Sequence, residues 1–197
     1  TSISATHKHE DNLSFTLWFD GVEWITDPSF YSHEYTQDIA AFLRSSAAHS
    51  GPYISKSTYK FPFVSNIKTF ESKNHIHLTA NHSAYSQHHV SREVSINVDD
   101  FSLKINDSVS NPEGSKLCVG FQVPENITVD KGGNEFFLRC YDSNYVLKMS
   151  SMDASIIGAV KDSFVSQTFM VKEVASRIEF LAQTSSLGTR LMFTKKG

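Results

Sequence analysis

The chain has 197 residues, 40% of them hydrophobic and 12% aromatic, with a formal net charge of −3. That length and apolar content suit a folded chain with a sizeable core and exclude a disordered one. The near-neutral charge gives no global field for nucleic acid or an anionic membrane, and no stretch approaches the roughly 18 consecutive apolar residues of a spanning helix.

The chain opens THKHEDNLSF, with His7, His9 and Asp11 just ahead of an apolar alternation. Leu13, Phe15, Leu17 and Phe19 then alternate with polar residues, the pattern of a half-buried strand. Asp20-Gly21 predicts a two-residue hairpin turn, and the return strand VEWITD ends against Pro28, which cannot extend a central ladder. QDIAAFLRSS reads as one short helix near 36–46, with Ile39, Phe42 and Leu43 on one side. Val90, Val94, Ile96 and Val98 mark another alternating strand, turning at Asp99-Asp100 into Phe101, Leu103 and Ile105. The later runs KLCVGF, EFFLRCY, YVLKM, SFVSQTFMV, SRIEFLA and RLMF are short and apolar, separated by NPEGS, KGGN and SSLG. Many short strands with one helix predict an all-β chain, an antiparallel sandwich, as one domain over 1–197. Cys118 and Cys140 sit in apolar runs and read as small buried residues rather than as a bridge.

Histidine is the common ligand of zinc and the side chain that titrates near neutrality, and the chain has nine. His7 and His9, two apart in an extended segment, face the same way. Asp27 closes an apolar strand before a proline, and His49 lies in the small-residue stretch SSAAHSG. Two imidazoles and one carboxylate would make a three-ligand zinc site with one open position, Asp11 being the competing carboxylate. With Asp20-Gly21 as the turn, Asp27 falls opposite Ser14, and a straight strand leaves His9 roughly 16 Å away at about 3.3 Å per residue. His9 and Asp27 therefore meet only if the lead-in folds back across the open end of the hairpin. His75 and His77 read as exposed strand residues, and His82, His88 and His89 as residues of a solvated polar loop.

HKHEDNLSFTLWFDGVEWITDPSFY followed by AFLRSSAAHSG resembles the C-terminal β domain of the heparinase II/III-like polysaccharide lyases, which include relatives acting on alginate. The residues that carry the resemblance are His7, His9, Asp11, Leu13, Ser14, Phe15, Gly21, Asp27, Pro28, Tyr31, Arg44, Ser45, Ala48 and His49, with a weaker echo in HSAY at 82–85, Arg92 and LKINDSVS. The resemblance implies an α/α toroid, N-terminal in a larger parent chain, packed on this sandwich. It implies cleavage of an anionic uronic-acid polysaccharide by β-elimination, and a periplasmic or secreted location. Carried over by position, His7 is the catalytic histidine, His9, Asp27 and His49 hold a structural zinc ion, and Arg44 contacts substrate anions. Two positions depart from the family pattern: Ser29 replaces the glycine of DPG, and Ser50 replaces the asparagine after the second-motif histidine.

Three other readings compete. A cupin-like metal enzyme requires a glutamate four or five residues after His9, where Leu13 and Ser14 stand. A non-catalytic carbohydrate-binding sandwich requires exposed aromatics, with Trp18, on the polar face of its strand, as a candidate and Trp24 the other tryptophan. A purely structural domain would use the histidines to hold zinc for stability alone.

Overall fold

The computed structural model describes residues 8–61, 63–85, 88–110 and 115–197, so His7 and most of NPEGS lie outside the described residues. The chain is all-β. The hairpin β1 (Leu17–Phe19) and β2 (Val22–Ile25) is followed by the short helix α1 (Asp38–Arg44) and β3 (Pro52–Ile54). The strands β4 (Ser65–Glu71), β5 (His75–Tyr85), β6 (His88–Asn97) and β7 (Ser102–Val109) form a meander. Then come β8 (Leu117–Val123), β9 (Ile127–Gly132), β10 (Glu135–Cys140), β11 (Tyr145–Ser151), β12 (Ala159–Val165), β13 (Glu173–Leu181) and β14 (Ser186–Lys195). One antiparallel sheet has eight strands in the order β4-β5-β6-β7-β14-β11-β10-β9, and a second has four in the order β12-β13-β8-β3.

The core lies between these sheets. Val119, Phe121, Val123, Ile178 and Phe180 of the small sheet face Phe136, Leu138, Leu147, Met149 and Leu191 of the large one. Phe180 meets the ring of Phe136 edge-on at 5.6 Å between centroids, a favoured aromatic geometry. All seven residues of β8 are buried, and the loop after α1 meets the strand directly, Gln122 N–H on Ser50 Oγ and Gly120 N–H on Gly51 O. The first hairpin closes one end of the sandwich: Phe19 stacks on Phe193 at 4.1 Å, and buried Trp24 meets the same ring edge-on.

The hairpin turn is where the sequence places it, with Asp20 and Gly21 both at positive φ, 52° and 74°, the geometry of the favoured two-residue turn. A bulge between Leu17 and Trp18 brings Leu17 opposite Ile25, and the ladder ends there, so the expected pairing of Asp27 with Ser14 is not made. Trp18 is 63% exposed whereas Trp24 is fully buried with its indole N–H on Phe19 O, so only the first can serve a surface role.

Both cysteines are unbridged and buried, one in each sheet. SSLG is not purely a turn, because β14 begins at Ser186. SFVSQTFMV leaves the sheet after Val165, and its second half becomes a loop.

His82 and His88 correct the solvated-loop expectation. They belong to β5 and β6 and are buried, at 1% and 7% exposure, whereas His89 is exposed. Their polar sequence neighbours hide that they point inward on a two-residue period. His82 packs among Tyr59, Phe63 and Tyr85, and its Nδ1 accepts the Ala84 N–H. Burial, aided by His89, pulls its pKa from 6.5 down to about 4. The folded state therefore resists protonating His82 where the unfolded chain does not. The stability this contributes is complete above about pH 6.5 and is lost as the pH falls toward about 4. Denaturant titrations across that window are expected to show stability falling by at most about 1.4 kcal/mol per pH unit from this proton. A His82→Phe variant is expected to flatten that slope.

Candidate functional site

The site gathers at the open end of the first hairpin, and a fold-back of the lead-in builds it. Glu10 N–H donates to Arg44 O at the end of α1, and Arg44 Nε donates to Lys8 O. The chain then reverses through a turn in which Ser14 N–H and Oγ both reach Asp11 O and Leu13 takes φ 65°. This reversal replaces the straight extension that would have kept His9 remote. The His9 ring comes to 5.3 Å from that of His49, and an open basin of about 430 Å³ is lined by Lys8, His9, Asp11, Asp27, Ser29 and Phe30.

Asp27 is the carboxylate that joins His49. Its Oδ2 accepts from His49 Nδ1 at 2.9 Å and its Oδ1 from Ser29 N–H at 2.8 Å. Burial pushes the Asp27 carboxyl up, but the hydrogen bond and charge of His49 and the Ser29 N–H outweigh it, so the group lies below its ordinary value. Asp27 is thus an anion, and a carboxylate only accepts, which places the proton on His49 Nδ1. His49 is 2% exposed and its buried Nε2 has no partner. Burial and the neighbouring His49 hold His9 below the ordinary imidazole value, while Asp11 and Asp27 pull it the other way. His9 is therefore a neutral imidazole with a lone pair at neutral pH.

Among the described residues, no three His, Cys, Asp or Glu side chains stand in ligating geometry around one point. The His49–Asp27 hydrogen bond ties a donor atom of each to the other. The donors nonetheless fit a divalent cation in kind: two imidazoles, one of them with an orphaned buried nitrogen, and one carboxylate, a zinc-type set. Asp11 lines the same basin without a hydrogen bond to either imidazole.

Ser50 and Ser29 fix the loops on either side. The buried Ser50 hydroxyl donates to Thr26 O at 3.0 Å and accepts Gln122 N–H at 2.8 Å. It thereby ties the residue after His49 to the residue before Asp27. Ser29 takes φ 60°, the left-handed conformation that explains why glycine is usual there. The loop between β12 and β13 forms a wall that nothing in the sequence announces. Gln167 Nε2 donates to Asp27 O, Met170 N–H to Tyr31 O, and exposed Phe169 stacks on Phe30 at 5.9 Å. These contacts span some 140 positions, and no local periodicity encodes them.

Arg92, the arginine of the weaker echo, reaches the site from β6. Its Nε and Nη2 donate to Asp107 Oδ1 and Oδ2 at 2.7 and 2.9 Å, and its Nη1 donates to Leu13 O and Ser50 O. Arg44, expected to meet substrate anions, holds the Lys8 carbonyl, and its guanidinium lies 4.4 Å from the Tyr35 ring centroid.

Residues 2–191 match the C-terminal family of heparinase II/III-like proteins. The chain belongs to that family. No curated protein matches its sequence. Among solved structures it is similar to the heparan sulfate lyase HepC from Pedobacter heparinus, at 18% identity and a TM-score of 0.82, covering 96% of this chain and 31% of that one. It is also similar to a heparinase III structure, at 13% identity and a TM-score of 0.78, covering 95% of this chain and 30% of that one. The chain thus spans about a third of the length of these enzymes, and at such identities the likeness establishes the fold.

Two substitutions probe the loops. Ser50→Ala removes a donor and an acceptor from a buried position and is expected to cost about 2 kcal/mol or more in chemical denaturation. Ser29→Gly relieves the left-handed strain and is expected to be stabilising, by up to about 1 kcal/mol in the same measurement.

Proposed function

We propose that the chain is the β domain of a polysaccharide lyase that cleaves a uronic-acid-containing polysaccharide by β-elimination, in a parent protein whose α/α toroid completes the cleft. The observation that carries this reading is the meeting of His9, Asp27 and His49 at the hairpin mouth in a member of the heparinase II/III-like family. The likeness to HepC, a heparan sulfate lyase, supports a glycosaminoglycan as the first class to test. A periplasmic or secreted location accompanies the same reading, and no described helix is long and apolar enough to cross a membrane.

His9, Asp27 and His49 are assigned to a zinc ion. When bound, such an ion supplies positive charge that stiffens the basin wall and disfavours a proton on a neighbouring imidazole. The chain's own groups supply the rest. In the metal-free chain Asp27 orients the His49 ring by accepting from its Nδ1, which leaves Nε2 as the nitrogen that would face the ion. His7, two residues before His9, is assigned the proton transfer that elimination needs. It lies outside the described residues. A neutral imidazole can take the proton α to a uronate carboxylate, whose own charge must be balanced for that proton to become acidic. Lys8, which lines the basin, and Arg44, which holds the Lys8 carbonyl, are the cations assigned to that balance.

Metal titration tests the ligand set. The purified chain is expected to take up one zinc ion with a rise in melting temperature. His9→Ala and His49→Ala are each expected to lose uptake, and Asp11→Ala is expected to retain it. In the full-length parent, His7→Ala is expected to lower kcat for elimination by at least about a hundredfold with zinc content unchanged. Intact elimination in that variant removes the catalytic assignment.

A further inference from the structure

The loop that carries His49 rests on a second buried arginine, from the opposite sheet. Arg177 lies in β13, 3% exposed, on the face of the small sheet that points away from the core. Its Nη1 donates to two consecutive carbonyls, Ala48 O at 3.1 Å and His49 O at 3.0 Å. The neighbouring strand makes room for it. A Cβ on Gly120 would stand 1.7 Å from Nη2 and 2.1 Å from Cζ, so the guanidinium lies where any side chain at position 120 would be.

The rest of the guanidinium is poorly matched. Nε stands 3.6 Å from Glu179 Oε2, beyond hydrogen-bond reach, and neither Nε nor Nη2 has a hydrogen-bond partner. Glu179 is instead hydrogen-bonded by the Tyr53 hydroxyl and by Lys161 Nζ. Burial holds Arg177 below its ordinary pKa. A buried cation with unmet donors is a poor stabilising device. Among the described residues, the hydrogen bonds it does make go to the backbone of residues 48 and 49.

Those two carbonyls belong to the peptide planes on either side of the His49 Cα. A single nitrogen held between them fixes φ and ψ of that residue together, and with them the direction in which the imidazole leaves the chain. We propose that Arg177 is a positioning residue for His49, with Gly120 as the clearance it requires. The inference rests on reading His49 as a ligand of the zinc site, and it extends that site to two residues that contact none of its ligand side chains.

The test compares Arg177→Met, Arg177→Lys and Gly120→Ala with Leu138→Ala, a core truncation in β10 remote from the loop. Two quantities are measured: zinc affinity, and the proton resonance of His49 Nδ1–H in the metal-free chain, protected by Asp27. Arg177→Met and Gly120→Ala are expected to weaken zinc binding by about ten- to a hundredfold and to abolish the protected resonance. Arg177→Lys, which keeps the buried charge and guards against a failure to fold, is expected to fall between them and the parent. Leu138→Ala is expected to lose stability while changing neither quantity. Retention of the resonance in the Arg177 and Gly120 variants overturns the proposal whatever the zinc affinities. If the parent chain takes up no zinc, the metal reading fails, and the resonance alone decides whether Arg177 positions His49.

Discussion

Arg92 and Asp107 face each other across β6 and β7, with 2% and 0% of their surface exposed, and share two parallel hydrogen bonds. Removing two charges from water costs several kcal/mol each, and attraction offsets that only when the geometry is good and the remaining donors are used. Here they are used on the site. The third guanidinium nitrogen holds Leu13 O and Ser50 O. Leu13 ends the reversal that returns His9, and Ser50 follows His49 directly. Two segments about forty residues apart are thereby fastened to one rigid point in the larger sheet.

Around that point the site is held from both layers. Arg92 reaches it from the eight-stranded sheet, Arg177 from the four-stranded sheet, and the Ser50 hydroxyl joins the loop to the hairpin strand that ends in Asp27. Imidazoles and a carboxylate on loops need such support, because a loop with free φ and ψ would average out the geometry that ligation or proton transfer demands. The sandwich supplies rigidity and the loops supply chemistry. The same division explains why a 197-residue chain with little global charge can carry a concentrated polar site.

Much of the fold was legible because strands announce themselves locally. Asp20-Gly21 marked its turn, β7 alternated buried and exposed residues, and QDIAAFLRSS contained the helix. The misread segments share one cause. His82 and His88 look solvated by composition, yet the long β5–β6 hairpin turns them inward. The tail of SFVSQTFMV looks like strand, yet it leaves the sheet because Ser166 and Met170 find backbone partners in the Pro28–Tyr31 segment. Hydrophobicity alone does not say whether an apolar residue will meet a neighbouring strand or a distant loop.

The sequence by itself determined the class of fold and the first hairpin, and the family resemblance made His9, Asp27 and His49 the residues to look at. Only the tertiary structure decided that Asp27 rather than Asp11 pairs with His49, that the lead-in reverses at Leu13, and that Arg92, Arg177 and Gly120 serve the same loop. The physical reason is range. Strand period and turn chemistry act over a few residues, whereas the pairing of a buried charge with a carbonyl depends on which sheets stack, and 128 positions separate Arg177 from the His49 it holds.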